Sequence, residues 1–299
     1  MELQTQSREL LGSVFEIKLP ARHSPLFSSC FSEIARIERA YSRFLPDSEL
    51  TRLNSNLGPW QDAGPEMLSL VQQAEQFHKL TGGHFDITLK SALEEMGYGP
   101  KIKKERKQNS GHFLSFLNLS SSRPQINMQK GQIRLSQPIE FGGLGKGYAL
   151  DRLASLLEAA GVGHYYLNGG GDIYAKRAPG EEPWPVLLEH PDDPERAIGK
   201  VELDGQAIAG SAPNRRKWGA KGEMHHLLNA KTKKPAQGVK AIFVLAQTGI
   251  EADAYSTAIF TAGFEEGIEM SWKLPVKILM VSSEGKMYQT PGFGAELFD

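Results

Sequence analysis

The sequence is poor in cysteine, in net charge and in long apolar runs, and each absence excludes a class of protein. Its single cysteine, Cys30, has no partner with which to form a disulfide. Because 34 lysines and arginines stand against 35 aspartates and glutamates, the net charge of −1 gives no long-range attraction to nucleic acid or anionic lipid. No apolar stretch is long enough to span a bilayer, and the first residues lack the pattern of a signal peptide. We therefore expect no nucleic-acid partner, no membrane span and a cytoplasmic location, although a chain whose export signal had been removed would look the same.

The apolar periodicity predicts a mixture of helices and strands. Of the 299 residues, 40% are hydrophobic, which is enough for one large core or two smaller ones. Strands and helices follow one another without regular alternation, and no repeat is evident, so an α+β fold is favoured over a doubly wound sheet. Strands are predicted at 11–19, 164–167, 241–246 and 276–281, and helices from Ser24-Pro25, from Pro65, at 148–160 and at 251–262.

One stretch of the chain stands out for its basic residues. Five basic side chains between Lys101 and Lys107 are followed by sequence rich in serine and asparagine. Such a segment could bind nucleic acid, but no aromatic side chains for base stacking are interleaved with the charges. We therefore predict an exposed excursion at 100–124.

A glycine-rich turn lies between Glu140 and Asp151 and leads into a predicted helix. Its glycines would let the backbone approach a ligand, and the free N–H groups of a helix start suit a phosphate. The spacing fits neither a Walker A loop nor the dinucleotide-binding fingerprint, since Lys146 is followed by Gly147 and the glycines follow a G-x-G-x-G pattern. A phosphate site and a turn that serves packing therefore both stay open.

Two further pairs of polar residues could carry chemistry. Asp253 and Thr257 are four residues apart in a predicted helix, so their carboxylate and hydroxyl lie on one face, where they could bind Mg²⁺ or simply be solvated. His225 and His226 are adjacent in a predicted strand and therefore point to opposite sides. Because no second pair of His or Cys follows at ligand spacing, we predict no zinc site; one histidine could act as a base or lie at the surface.

Six motifs follow one another along the chain. They are Leu11-Gly12-Ser13; Ser42-Arg43-Phe44 with Pro46-Asp47-Ser48-Glu49-Leu50 and Leu53-Asn54; Gly83-His84-Phe85-Asp86; the turn 142–149 with Asp151; Asn168-Gly169-Gly170-Gly171-Asp172; and His226 followed by Glu251-Ala252-Asp253-Ala254 and Ser256-Thr257-Ala258. Each motif alone is explained by a turn or a helix cap. In this order, over residues 10 to 265, they resemble the ApbE family of FAD:protein FMN transferases.

The resemblance implies a single catalytic domain over residues 1–299, built from two intertwined α+β subdomains with a flavin cleft between them. Members bind FAD and Mg²⁺, break the pyrophosphate, and move FMN onto a Thr or Ser hydroxyl of a target flavoprotein, releasing AMP. Some members instead hydrolyse FAD to FMN and AMP.

The resemblance also implies a set of site residues. The metal would be held by Asp253, Thr257 and the carbonyl of Gly143, and the general base would be His226. The flavin nucleotide site would be lined by Leu11, Phe44, His84, Phe85, Asp86, Glu140 and Lys146.

The chain departs from the family pattern in two places. Gly210-Ser211-Ala212-Pro213 stands where members usually have a Thr-Ser-Gly-Asp-like turn, and 229–233 reads Asn-Ala-Lys-Thr-Lys where they have Asp-Pro-x-Thr-Gly. The carboxylate lost at Asn229 and the glycine lost at Lys233 change the loop beside the presumed base. Three functions therefore stay open: FMN transfer to a flavoprotein, hydrolysis of FAD, and flavin binding without catalysis.

Overall fold

The computed structural model describes residues 1–98, 123–214, 217–218 (backbone only) and 224–298. The predicted excursion at 100–124 lies outside these residues, apart from its last two positions. The helices are α1 (Leu26–Tyr41), α2 (Glu49–Asn54), α3 (Pro65–Leu80), α4 (Lys90–Glu95), α5 (Gly145–Ala159), α6 (Gly249–Ala262) and α7 (Phe264–Ser271). The strands are β1 (Leu3–Leu10), β2 (Ser13–Pro20), β3 (Trp60–Asp62), β4 (Gln125–Asn127), β5 (Gln132–Arg134), β6 (Tyr165–Gly169), β7 (Ile173–Lys176), β8 (Trp184–His190), β9 (Asp193–Leu203), β10 (Gln206–Ser211), β11 (Lys217–Trp218), β12 (Met224–His225), β13 (Val239–Ala246), β14 (Lys277–Ser282), β15 (Met287–Gln289) and β16 (Glu296–Leu297).

Eight strands form one large sheet in which every neighbouring pair is antiparallel. Their order is β1-β2-β6-β7-β10-β13-β14-β15. Smaller sheets have the orders β16-β9-β8, β3-β5-β4 and β11-β12. Doubly wound folds are built on parallel strands, so this topology confirms the predicted α+β class.

The two faces of the large sheet are covered by different layers. Because side chains alternate along a strand, Ala207 and Ala209 of β10 point to one face and Ile208 to the other. The first face packs against helices α5 and α6 in the larger apolar core, which also contains the buried Cys30. The second face packs against the sheet of β8, β9 and β16, through residues such as Val186. The chain therefore forms three layers, with the large sheet in the middle.

Helix α6 is buried on nearly all sides. Eleven of its residues are buried, as expected for a helix that is apolar all round. Thr248 caps its start, and Gly263, with a φ of 91°, ends it. The Asp151 carboxylate of α5 accepts hydrogen bonds from Gly249 N at 2.6 Å and Ile250 N at 2.9 Å. Helix α5 thus satisfies the free donors at the start of α6 and fixes where α6 begins.

The strand predicted at 11–19 is instead the second arm of a hairpin. The chain turns from β1 into β2 through Leu11 and Gly12, whose φ values of 53° and 67° match a tight two-residue hairpin turn. Phe15, Ile17 and Leu19 alternate along β2 and are fully buried, as expected for one face of a strand. The pattern did not reveal β1, because its side chains are mostly polar and exposed.

Two helix starts also differ from the prediction. Helix α1 begins at Leu26, just after the predicted start at Ser24-Pro25, with Pro25 as its cap residue and no side chain that caps it. Helix α5 begins at Gly145, three residues before the predicted start. A Cβ on Gly147 would collide with the carbonyl of Gly249, so glycine lets α5 and α6 touch backbone to backbone. That packing outweighs the low helix propensity of glycine.

None of the helices within the described residues combines the length and apolarity needed to cross a membrane. The cytoplasmic location and the single domain over 1–299 stay predictions.

Candidate functional site

A cavity of about 570 Å³ opens between the helical layer and the sheet of β8 and β9. Its size is that of a typical small-molecule site. The apolar part of its wall includes Ile173, Val186 and Phe243. Nine of the eleven predicted site residues share this wall, namely His84, Phe85, Asp86, Glu140, Gly143, Lys146, His226, Asp253 and Thr257.

The three predicted metal ligands lie together. Asp253 is 4% exposed, and its Oδ2 accepts a hydrogen bond from Gly147 N at 3.1 Å. A Cβ placed on Gly143 would lie 3.1 Å from the Oγ1 of Thr257, a tight contact that places the backbone of Gly143 next to the hydroxyl. Carboxylate, hydroxyl and adjacent backbone form a small oxygen-lined cradle. The donor set fits Mg²⁺, which binds few carboxylates and completes its shell with water and phosphate oxygens.

A lysine and a second carboxylate lie beside this cradle. Lys146 Nζ is 3.4 Å from Asp253 Oδ1 and forms a short ion pair with Asp172 Oδ2. Asp172 is 3% exposed, and its Oδ1 accepts a hydrogen bond from Gly210 N at 3.3 Å. Burial raises the pKa of Asp172 to about 6, although the ammonium of Lys146 opposes this shift. Asp172 belongs to the motif 168–172 found in the sequence, but it was not among the predicted site residues. A carboxylate directly after three glycines was the available signal.

Glu140 is buried and lies at the start of the glycine-rich turn. Its Oε2 accepts a hydrogen bond from Gly142 N at 2.8 Å, and its own N–H donates to the carbonyl of Ile87. Burial raises the pKa of Glu140, and the nearby guanidinium of Arg43 lowers it. The carboxyl group is therefore held rigidly at the cavity wall by its own turn.

All three side chains of the segment 84–86 line the cavity, and each has different contacts. The ring of Phe85 lies against Gly143, within 3.2 Å of the position of a Cβ there. Asp86 Oδ1 accepts hydrogen bonds from Thr88 N at 2.8 Å and Arg123 Nη1 at 2.7 Å. These bonds fix the direction of the Asp86 carboxylate.

His84 connects the same segment to the altered loop at 229–233. Its Nε2 lies 2.8 Å from Glu266 Oε1 and 2.7 Å from Lys231 Nζ. The side chain is 2% exposed, whereas those of Glu266 and Lys231 are exposed. The altered loop is therefore in direct contact with a cavity-lining residue.

The two adjacent histidines have different surroundings. His225 is buried, and its Nε2 lies 3.1 Å from the carbonyl oxygen of Ala236. His226 lies in the cavity wall, where its ring lies beside that of Tyr98, with 5.7 Å between the centroids and the two planes tilted by 32°. In the described part of the chain no cluster of three His, Cys, Asp or Glu side chains is arranged to hold a metal.

A stack of planar groups continues behind His226. The guanidinium of Arg43 lies 4.9 Å from the ring of Tyr98 and 4.7 Å from that of Phe44. Phe44 is half exposed and lies outside the cavity lining, so it reaches the site through Arg43 and Tyr98. Arg43 and Tyr98 could not be predicted as part of the site from the sequence, because residues 43, 98 and 226 are far apart in the chain and meet only in the fold.

Leu11 also lies outside the cavity lining. It sits in the β1–β2 turn with a φ of 53°, which costs a residue with a side chain about 1–2 kcal/mol. Its N–H donates to Glu38 Oε1 at 2.8 Å, which helps to hold this conformation. The contact of Leu11 with a nucleotide stays a prediction.

The altered loop at 229–233 keeps an ordered turn. Asn229 Nδ2 donates to the carbonyl of Thr261 at 3.0 Å, and its Oδ1 accepts from the backbone N–H groups of Lys231 and Thr232. Lys233 has a φ of 56°, the left-handed conformation that glycine adopts without strain. The side chain of Asn229 therefore orders the loop without supplying a carboxylate.

The second altered segment, 210–213, is tied to the cradle. Ser211 Oγ lies 3.0 Å from Ser256 Oγ, and Ser256 Oγ donates to the carbonyl of Asp253 at 2.9 Å. Gly210 N donates to Asp172. This segment thus contacts the Asp172 carboxylate directly and the backbone of Asp253 through Ser256.

The structure is an antiparallel α+β scaffold around a cavity of small-molecule size, whose wall carries Lys146, His226 and Asp253. The family model described as the ApbE family matches residues 11–280. The chain belongs to the ApbE family.

Individual relatives agree with this assignment. The FAD:protein FMN transferase of Escherichia coli K12 is 25% identical over 309 aligned positions, covering 97% of this chain and 87% of the relative. That of Haemophilus influenzae is 27% identical, covering 80% of this chain and 73% of the relative. The ApbE protein of Thermotoga maritima superposes with a TM-score of 0.90 at 23% identity, covering 98% of both chains. The apo flavinyl transferase ApbE of Pseudomonas stutzeri gives 0.84 at 22% identity, covering 98% of this chain and 96% of that one. These structures confirm the ApbE-like fold.

Proposed function

We propose that this protein transfers FMN from FAD to the hydroxyl of a Thr or Ser in a target flavoprotein, with release of AMP and with Mg²⁺ as cofactor. The observation that carries the proposal is the shared cavity, whose wall holds the cradle of Gly143, Asp253 and Thr257 together with Lys146 and His226. The relatives named FAD:protein FMN transferase support FAD as the substrate.

The cradle would hold the metal, and bound Mg²⁺ would supply positive charge to the pyrophosphate and orient its phosphorus atoms. The ammonium of Lys146 lines the same wall and stabilises the negative charge that grows on the departing AMP. Asp86 and Glu140 offer carboxylate groups to donors of the nucleotide, and the apolar wall gives the flavin ring a dry surface.

His226 acts as the base for the acceptor hydroxyl, whose pKa lies far above neutrality. Its imidazole takes the proton as the hydroxyl oxygen bonds to the phosphorus of the FMN half. The bond from that phosphorus to the bridging oxygen breaks, and the electron pair leaves with AMP. The tilted contact with the ring of Tyr98 helps to position the His226 ring for this step.

Hydrolysis of FAD to FMN and AMP is a second candidate, with water in place of the acceptor hydroxyl. The altered loop favours it, because the carboxamide of Asn229 bonds to backbone groups and lies outside the cavity lining. A protein that binds flavin without catalysis is the third outcome to be tested.

The variant Asp253→Asn tests the proposed site. We expect it to reduce Mg²⁺-dependent AMP release from FAD by at least about 100-fold, since the only carboxylate proposed to bind the metal loses its charge. Asp62→Asn, at an exposed position of β3, serves as the matched control and should leave turnover unchanged. Undiminished metal-dependent turnover in Asp253→Asn would show that the metal site is assigned wrongly.

A further inference from the structure

Asp172 lies in the cavity wall, yet the proposed reaction assigns it no role. It follows a glycine-rich turn in which Gly170 has a φ of 74° and passes so close to Ser13 that a Cβ would collide with the hydroxyl. This turn directs the carboxylate inward, where it is 3% exposed. A buried carboxylate is costly unless it is paired, so its partners indicate what it does.

Its charged partner is the ammonium of Lys146, which is also the neighbour of Asp253. Lys146 Nζ forms a short ion pair with Asp172 Oδ2 and lies 3.4 Å from Asp253 Oδ1. The ammonium therefore stands between two buried carboxylates and is held mainly by Asp172. At low exposure such charge interactions are stronger than at the surface.

We propose that Asp172 is a positioning residue that holds the Lys146 ammonium off Asp253 and so keeps the Asp253 carboxylate available to a divalent cation. The inference rests on the metal site of the proposed function. Without the charge of Asp172, the ammonium would be drawn to Asp253, and a cation would have to displace it. With Asp172 in place, the two carboxylates and one ammonium carry a net charge of −1, which favours cation binding.

The orientation of Asp172 is fixed from β10. Its Oδ1 accepts the hydrogen bond from Gly210 N at 3.3 Å, which leaves Oδ2 to face Lys146. Gly210 belongs to the altered segment 210–213, so that segment keeps a function in this chain. The variant Asp172→Asn preserves the shape of the side chain and an oxygen that can accept from Gly210 while removing the charge.

Binding of Mn²⁺ to the full chain without FAD, followed by electron paramagnetic resonance at pH 8, tests the role. The proteins compared are the wild type, Asp172→Asn, the double variant Asp172→Asn/Lys146→Met, and Asp62→Asn as a control. We expect Asp172→Asn to weaken Mn²⁺ binding by about 10- to 100-fold, the usual effect of removing a residue that supports a metal ligand. The Mn²⁺ affinity of the double variant should be within about threefold of the wild-type affinity, because the competing ammonium is gone and the net charge of −1 is restored.

The outcomes separate the inference from the proposed function. Wild-type protein that binds no Mn²⁺ would overturn the metal site and this role with it. Wild-type binding with an unchanged affinity in Asp172→Asn would overturn the positioning role alone. An equal loss of Mn²⁺ affinity in the single and double variants would also overturn the positioning role. It would indicate that the substitution at Asp172 had disturbed the turn, which removal of Lys146 cannot repair.

Discussion

At the scale of the residue, Lys233 shows what a departure from the family pattern costs. It adopts a left-handed φ of 56° in the altered loop. A residue with a Cβ is strained there by about 1–2 kcal/mol. Replacing it with glycine relieves this strain but also increases the conformational entropy of the unfolded chain, which offsets part of the gain in stability. We expect Lys233→Gly to raise the free energy of unfolding by about 0.5–1 kcal/mol, measured by urea denaturation.

The neighbouring lysine provides the control for this strain. Lys234 is exposed and does not have a positive φ, so Lys234→Gly should lower the free energy of unfolding by up to about 1 kcal/mol. A loss of stability in both variants would contradict the argument from backbone strain.

The site could be predicted from the sequence only where its residues are close in the chain. Asp253 and Thr257 were placed on one helix face by their spacing of four, and the structure confirms that both line the cavity. The ion pair between Lys146 and Asp172 and the stack of Arg43 on Tyr98 join distant segments. Local periodicity carries no information about such contacts, so they required the fold.

At the scale of the element, the contact between α5 and α6 depends on a pair of glycines. A Cβ on Gly147 would meet the backbone of Gly249, which has no rotamer by which to move aside. We expect Gly147→Ala to cost at least about 2 kcal/mol of unfolding free energy, measured by thermal unfolding.

Gly163 is the matched position for this experiment, because a Cβ there has no neighbour within 4 Å and its φ is not positive. Gly163→Ala should change stability by no more than about 0.5 kcal/mol. If Gly147→Ala melts at the wild-type temperature, the two helices do not touch as described.

Three helices are also joined by a carboxylate. Glu66 of α3 accepts a bidentate pair of hydrogen bonds from Arg36 of α1 at 2.7 and 2.8 Å, and a short one from Tyr148 of α5. Burial alone would raise the pKa of Glu66, but the hydrogen bonds from Arg36, Tyr148 and Tyr41 outweigh it and lower the pKa to about 2.

This lowered pKa has a defined effect on stability. A carboxyl group whose pKa falls on folding stabilises the fold above its ordinary value of 4.5, and that contribution is lost as the pH falls toward 2. Glu66→Gln should therefore be less stable than the wild type at pH 7, with a difference that narrows as the pH falls from 4.5 toward 2. This pH dependence is checked by measuring the urea midpoint of unfolding across the range, with Glu182→Gln, at an exposed position, as the control. A difference that does not change with pH would contradict the ion-pair account.

The predicted elements were most accurate where apolar periodicity is strong. The helices predicted from Ser24-Pro25 and from Pro65 are confirmed as α1 and α3, because the buried residues of each recur mostly at three- and four-residue spacing. The polar, exposed β1 carries no such signal, and the start of α5 depends on packing against α6. The order of strands in the large sheet follows from tertiary contacts and could not be predicted from local pattern.

At the scale of the whole molecule, three layers create the cavity and bring its chemistry together. Helix α6 supplies the buried Asp253, the helical layer supplies Lys146, and β8 closes the opposite side with Val186. The family is ApbE and the fold is that of ApbE flavin transferases, whereas residue 229 of the altered loop is Asn, which carries no carboxylate. The central claim is therefore that FMN reaches a protein hydroxyl rather than water.

Intact-mass spectrometry tests that claim most directly. The protein is incubated with FAD, Mg²⁺ and the acceptor protein of the Escherichia coli relative, and AMP is quantified in the same samples. We predict that the acceptor gains one FMN in a phosphoester bond, that AMP forms in equal amount, and that an acceptor whose target Thr is replaced by Val gains nothing. AMP released equally without acceptor and with no gain in acceptor mass would contradict the account in favour of hydrolysis, and bound FAD with no AMP at all would contradict both reactions.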